Sequence, residues 1–247
     1  MNHKIVFTGL FVALIGMSSC KKEEIIDEII DETPTTQSTP PPFPTLSNSD
    51  GTLVAIKVQS SQSSPIGPVT MTIGLGVAAF YESNNIDNLI DAGNVNVNSK
   101  QLTKQTNNSY VFQPDASNAT GVDFSGGVSW SVTGSAAVSA FSFDPSIAFP
   151  SAGEITSSEV VNKANGYTLT ISSVTDADSV IFQVGSVLKT VPGNTTSCSF
   201  SAAELSGLSN GSNVAQVAAY KMENATITGK SYYFINETVA TQTVTIE

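Results

Sequence analysis

Asp87 and Asp91 stand four apart in Asn84-Asn85-Ile86-Asp87-Asn88-Leu89-Ile90-Asp91. On a helical turn they would share a face, as two carboxylates must to work together on a glycosidic bond. In a polar turn the same Asp and Asn side chains would cap backbone groups instead. Asp176-Ala177-Asp178-Ser179 offers oxygens to a cation such as Ca²⁺. Two carboxylates fall short of the roughly six to eight oxygens that ion takes, so a plain strand-to-strand turn competes. Trp130 is the single tryptophan. Packed with Val128 and Val132 on its strand face it would fill a core; turned outward it would be a platform for sugar stacking. Tyr232 and Tyr233 are the other candidates for that platform. Neighbours on a strand point to opposite faces, which should leave one of those two tyrosines exposed.

The rest of the inventory removes most other chemistry. The only histidine is His3, inside the segment expected to be cleaved, and the chain has no arginine. Ser-His-Asp and Cys-His catalysis and imidazole zinc sites therefore drop out of the mature chain. No glycine-rich phosphate loop precedes a helix. Cys198 alternates with Phe200 on one strand face and reads as a packed core thiol. No catalytic residue, metal ligand or cofactor is expected, and the reading is non-enzymatic. A carboxylate-dependent glycan-cleaving enzyme is the one catalytic alternative left. The net charge is −11, and beyond residue 49 seven lysines face fifteen carboxylates, a net of −8. Such a body repels a phosphate backbone and an anionic bilayer, so nucleic acid is excluded as a partner and any membrane attachment must come through lipid.

The amino-terminal segment carries that lipid signal. Lys4 precedes an apolar stretch, Ile5 to Met17, thirteen residues long. As a helix it would span ~20 Å, short of the ~30 Å hydrocarbon core, so it reads as the core of a signal peptide over residues 1–19. Met17-Ser18-Ser19-Cys20 resembles the lipobox of bacterial lipoproteins. The resemblance implies cleavage before Cys20 and lipid attachment to its thiol; an ordinary signal peptide followed by a chance cysteine is the alternative. Lys21-Lys22-Glu23-Glu24 resembles the surface-export signal of Bacteroidota lipoproteins, against a plain solvated spacer. It implies a protein on the outer face of the outer membrane. Several acyl chains, each contributing ~0.8 kcal/mol per buried methylene, would make the anchor stable.

Residues 20–49 read as an acidic, Pro/Thr-rich tether. Ile25, Ile26, Ile29 and Ile30 form one helical stripe, but Glu24/Glu28 and Asp27/Asp31 place like charges at i, i+4, which disfavours a helix. Pro34, Pro40, Pro41, Pro42 and Pro44 favour polyproline II, a reach of up to roughly 50 Å.

From Leu53 onward the pattern has period two. Val54-Ala55-Ile56, Val69 to Ile73, Val95 to Val97, Tyr110 to Phe112, Val128 to Val132 and Tyr167 to Ile171 alternate in this way, with turn residues between them. Val180 to Val184, Val214 to Tyr220, Ser231 to Ile235 and Thr241 to Ile246 complete the series. Short helices are expected only near Asn84 to Asp91 and Ala202 to Leu205. Phe149-Pro150-Ser151-Ala152-Gly153 divides the body into residues 50–152 and 153–247, each the size of an immunoglobulin-type sandwich. Ala203 to Gly211 leading into Val214 to Tyr220 resembles fibronectin type III and related immunoglobulin-like modules, where a leucine and a Gly-containing turn precede a strand ending in an Ala-aromatic pair. The expected fold is all-β: two immunoglobulin-like antiparallel β-sandwich domains. Together with the anchor this implies a surface lipoprotein that presents binding modules to a glycan or an envelope protein. A structural envelope spacer or assembly factor is the alternative.

Overall fold

The computed structural model describes residue 46 and residues 48–64, 67–83 and 85–247. The expected leader, Cys20 and the tether up to residue 45 lie outside them. In chain order the first half supplies β1 (Gly51–Ser64), β2 (Gly67–Glu82), β3 (Asn85–Leu89), β4 (Val95–Val97), β5 (Lys100–Gln101), β6 (Thr103–Lys104), β7 (Tyr110–Phe112), β8 (Trp130–Val132) and β9 (Phe141–Phe143). The second supplies β10 (Ser151–Ala152), β11 (Val160–Val161), β12 (Tyr167–Thr170), β13 (Val174–Thr175), β14 (Ser179–Val184), β15 (Val187–Pro192) and β16 (Ser197–Phe200). A helical turn, α1 (Ala202–Leu205), then precedes β17 (Gly211–Ile227) and β18 (Lys230–Ile246). The architecture is all-β, as the alternation predicts.

One ten-stranded sheet carries both halves, in the order β15-β14-β17-β18-β1-β2-β7-β6, with β3 added beside β2 and β11 beside β18. Its pairings are antiparallel except at β18, where β1 and then β11 run parallel along the same edge. Tight turns close the long hairpin: Thr228 and Gly229 both take positive φ, as a two-residue turn matched to the strand twist requires.

The two cores lie side by side on one face of this sheet. The first packs Leu53, Phe80, Tyr110, Tyr232 and Phe234 against Val95, Val97, Trp130, Val132 and Phe141 of the small sheet β5-β4-β8-β9. Val97 comes this close to the big sheet because residue 76 is glycine: a Cβ there would lie 2.8 Å from Val97 Cγ1, while the Trp130 ring, 3.8 Å away, would be in ordinary contact. The second core packs Val180, Phe182, Val217, Val244 and Ile246 against Leu169, Phe200, Leu205 and Leu208. Residues 153–247 therefore enter both cores, since Tyr232 and Phe234 of β18 belong to the first.

Ser231–Ile235 and Thr241–Ile246 were expected as separate strands, and they are one. Asn236, Glu237 and Thr238 between them are polar, and all three are buried within β18. The chain linking the halves explains two of them. It crosses β18 as a strap, with Asn236 Nδ2 donating to the Ile147 carbonyl (2.8 Å) and Thr238 Oγ1 to that of Pro150 (2.6 Å). Lys57 Nζ sits 4.1 Å from the centre of the Phe149 ring, and Ser146 donates its N–H to Glu223 Oε2 at 2.7 Å. A polar triplet that looks like a loop in one dimension is a docking strip in three.

The expected helix at Ala202–Leu205 is present and reciprocally capped: Ser201 Oγ accepts from the Glu204 N–H, and Glu204 Oε2 from the Ser201 N–H. The other expected helix is not there. Asn85–Leu89 is the edge strand β3, paired with the end of β2, and Asn88 Nδ2 donates to the Glu82 carboxylate. A stretch this short does not recover the cost of helix nucleation, whereas an open sheet edge supplies partners directly.

Candidate functional site

The acidic pairs read from the sequence serve the architecture. Asp87 sits on the exposed strand β3 and Asp91 in the loop beyond it, so no helical face unites them. Asp91 accepts from Lys104 Nζ at 2.9 Å, Tyr110 OH at 2.8 Å and the Gly93 N–H at 2.9 Å. Lys104 first, then Tyr110 and Gly93, hold its carboxyl down at about 2, so it has no proton to give near neutrality. Burial pushes the Tyr110 hydroxyl up to about 12. Asp178 Oδ2 accepts the Met222 N–H at 2.8 Å, and Asn194 Oδ1 accepts that of Ala177 at 2.9 Å; the Asp176–Ser179 segment is a stapled strand-to-strand turn. Among the described residues no three His, Cys, Asp or Glu gather as a metal cage.

The aromatic platform needs correction. Trp130 is fully buried and Tyr232 nearly so, both in the first core, and Phe141 lies 4.8 Å from Tyr232 between ring centroids. Neither can stack on a ligand, because the apolar face that would receive it is already covered. Tyr233 points to the other face of β18 and is half-buried. Cys198 packs against the second core, beside Leu169 in register, and burial pushes its thiol pKa up. A protonated, half-buried thiol is a poor nucleophile.

What the fold does assemble is a cleft at the seam where β1 meets β18, beside the second core, about 270 Å³ in volume. Gln59 of β1 and Ala240, Thr241 and Gln242 of β18 form one wall; Glu154, Ile155 and Glu159 stand opposite. The parallel register sets Gln59 beside Ala240, and strand alternation returns Gln242 to the face that Ala240 and Val244 share. The far wall is fixed through its backbone. The Glu154 N–H donates to Ser172 Oγ at 3.0 Å, its carbonyl accepts from Ser172 N–H at 2.9 Å, and the Glu159 carbonyl accepts from Thr245 N–H at 2.7 Å. Ala152 and Ala240 are buried and give a small apolar floor.

Polar side chains outnumber apolar ones in this cleft. Two glutamates line it, no lysine does, and Gln242 Oε1 is buried without a hydrogen-bond partner. Leaving such an acceptor unmet costs roughly 1–3 kcal/mol. A second hollow, about 460 Å³ and more open, lies at Asn94, Gln101 and Lys104, beside Asp91. There the cation and the anion neutralise each other.

None of the seam residues stood out in the sequence. Gln59 and Gln242 carried one signal: each occupies an inward position in a strand whose other inward residues are mostly apolar. No protein-family model matches the sequence, and no curated protein matches it either.

Proposed function

We propose that the chain is a lipid-anchored cell-surface lipoprotein, non-enzymatic, whose β-sandwich body binds a glycan in the seam cleft. The observation that carries the binding reading is the polar lining there: two glutamates, two glutamines and Thr241 around a small apolar floor of Ala152 and Ala240. Sugar hydroxyls both donate and accept, and so match carboxylates, amides and a hydroxyl on one surface. The anchor, the outer-membrane address and the surface exposure rest on Met17-Ser18-Ser19-Cys20 and Lys21-Lys22-Glu23-Glu24. Against catalysis stand the absence of arginine, the single histidine in the leader and an Asp91 carboxyl held ionised by Lys104.

The mature, detergent-solubilised protein applied to a glycan array should retain at least one glycan, with retention lost in Gln59→Ala and Gln242→Ala. A wild-type protein that retains none overturns the glycan reading. For the anchor, Cys20→Ser should move the protein from the membrane to the soluble fraction, and protease added to intact cells should remove the wild-type body. Resistance until lysis would refute surface exposure.

A further inference from the structure

We propose that the body is a tension-bearing link, in which the parallel ladder of β1 and β18 works as a shear clamp between the membrane anchor and the ligand in the seam cleft. The direction of the load rests on the anchored, ligand-binding reading above; the resistance to it rests on the fold. Cys20 precedes β1 in the chain, so tension from a lipid on its thiol enters the sheet at Gly51. There Gly51 lies beside Tyr232, and the ladder runs in one direction to Gln59 beside Ala240 and Ser60 beside Thr241. At ~3.3 Å per residue it is about 30 Å long. Gln59, Ala240 and Thr241 also line the cleft. Anchor and ligand take hold at opposite ends of one ladder.

The parallel direction decides how such a load is met. When one parallel strand is drawn from its start and its neighbour toward its end, the two slide along each other. The evenly spaced, slanted bonds between them are then stretched together, not one after another. Strands drawn apart from adjacent ends part rung by rung, each bond meeting the whole force alone.

Burial on both strands strengthens the rungs. Leu53, Val54, Ala55, Phe234 and Ile235 are fully buried, and the pair lies inside the sheet, between β2 and β17. A rung that opens there leaves an N–H and a carbonyl without water to replace the lost partner. On its other edge β1 is paired with β2 from Gly51 beside Phe80 to Ser64 beside Gly67, so it cannot slip past β18 alone.

The entry end carries a separate clasp. The Asp50 N–H donates to the Ser231 carbonyl at 2.7 Å, Asp50 Oδ2 accepts the Ser231 N–H at 2.8 Å, and Asp50 Oδ1 accepts Lys230 Nζ at 2.8 Å. These bonds join the starts of the two strands, where peeling would begin. They keep tension directed along the ladder.

The test is single-molecule force spectroscopy on the mature chain, residues 20–247, with Cys198→Ser so that Cys20 takes the first handle. In one variant Glu247→Cys takes the second handle, beyond the cleft end of the ladder, and tension shears it. In the other Thr228→Cys takes it, in the exposed turn near the Gly51 end, and tension peels β1 from β18. At one constant force the sheared chain should survive roughly ten-fold longer than the peeled one, because lifetime under force follows the unfolding rate. It should then give way in a single step. Adding Asp50→Ala should shorten the peeled lifetime and leave the sheared one little changed. Equal lifetimes in the two geometries overturn the clamp and leave the anchor and glycan readings standing. A sheared chain that lengthens in several small steps before the ladder gives way overturns it too. A blank glycan array with a long sheared lifetime removes the sugar as the source of load and upholds the clamp.

Discussion

The hollow beside Asp91 and the cleft at the seam are both polar, and they differ in how their groups are matched. Beside Asp91 each strong group has its counterpart: the carboxylate meets Lys104, Tyr110 and the Gly93 N–H, and Tyr110 also accepts from the Ala92 N–H at 2.8 Å. At the seam and along the strand that forms it, Gln242 Oε1 has no donor, and burial raises the Glu237 carboxyl to about 7. Charge alone therefore does not mark a site. A completed network is architecture; an incomplete one is held at a cost to stability, and that cost points to use or to strain.

Mutations on the two sides should consequently differ in sign. The largest effect is expected at Glu237. Its folded pKa of about 7 lies above the unfolded value near 4.5, so the charged form is disfavoured in the fold. The penalty starts as pH rises past the unfolded value, grows to about pH 7 and then stays constant, at most about 3 kcal/mol. Glu237→Gln should abolish that slope and raise the denaturant midpoint at pH 8 while leaving it nearly unchanged at pH 4. An unchanged midpoint at pH 8 would mean that the carboxylate is solvated in the fold.

Asp91→Ala should move stability the other way, by about 1–2 kcal/mol, because the buried Tyr110 hydroxyl and the Gly93 N–H lose their acceptor. Urea unfolding measures this, and a neutral result would erase the contrast between the two hollows. Gln242→Leu should stabilise the protein by about 1 kcal/mol by removing an unmet acceptor, and abolish glycan retention in the same molecule. A variant that loses stability there would show that Gln242 is matched after all. The smallest change is expected for Lys104→Ala, below about 1 kcal/mol and vanishing in high salt, since that pair is largely exposed.

Legibility differed from element to element for physical reasons. Trp130 with Val128 and Val132 declared a core strand face, and the indole is fully buried. The Ser201–Glu204 spacing sits where a capped helical turn begins, at the Ala202–Leu205 segment expected to be helical. The stretch from Asn85 to Leu89 misled, because five residues cannot say whether a sheet edge lies next to them. Asn236-Glu237-Thr238 misled in the opposite direction. Polar residues normally interrupt a buried strand, and these do not, because two of them bond to a strap some ninety positions earlier in the chain. The seam residues were invisible for the same reason: Gln59, Glu154 and Gln242 carry no shared local pattern.

Period-two alternation and turn chemistry involve neighbours two to four positions apart, so strand character, the all-β class and the capped turn were already present in the order of residues. So were the leader and Cys20 motif, as an expectation, and the scarcity of catalytic groups. The meeting of the chain's two ends was not. That β1 lies parallel to β18, and that a polar cleft opens where those two strands meet, depend on pairings between residues nearly two hundred positions apart, and only the assembled sheet lets one hairpin serve two cores. Such pairings are selected by the burial of whole sheet faces, a property of the assembled layers that no short stretch of chain encodes.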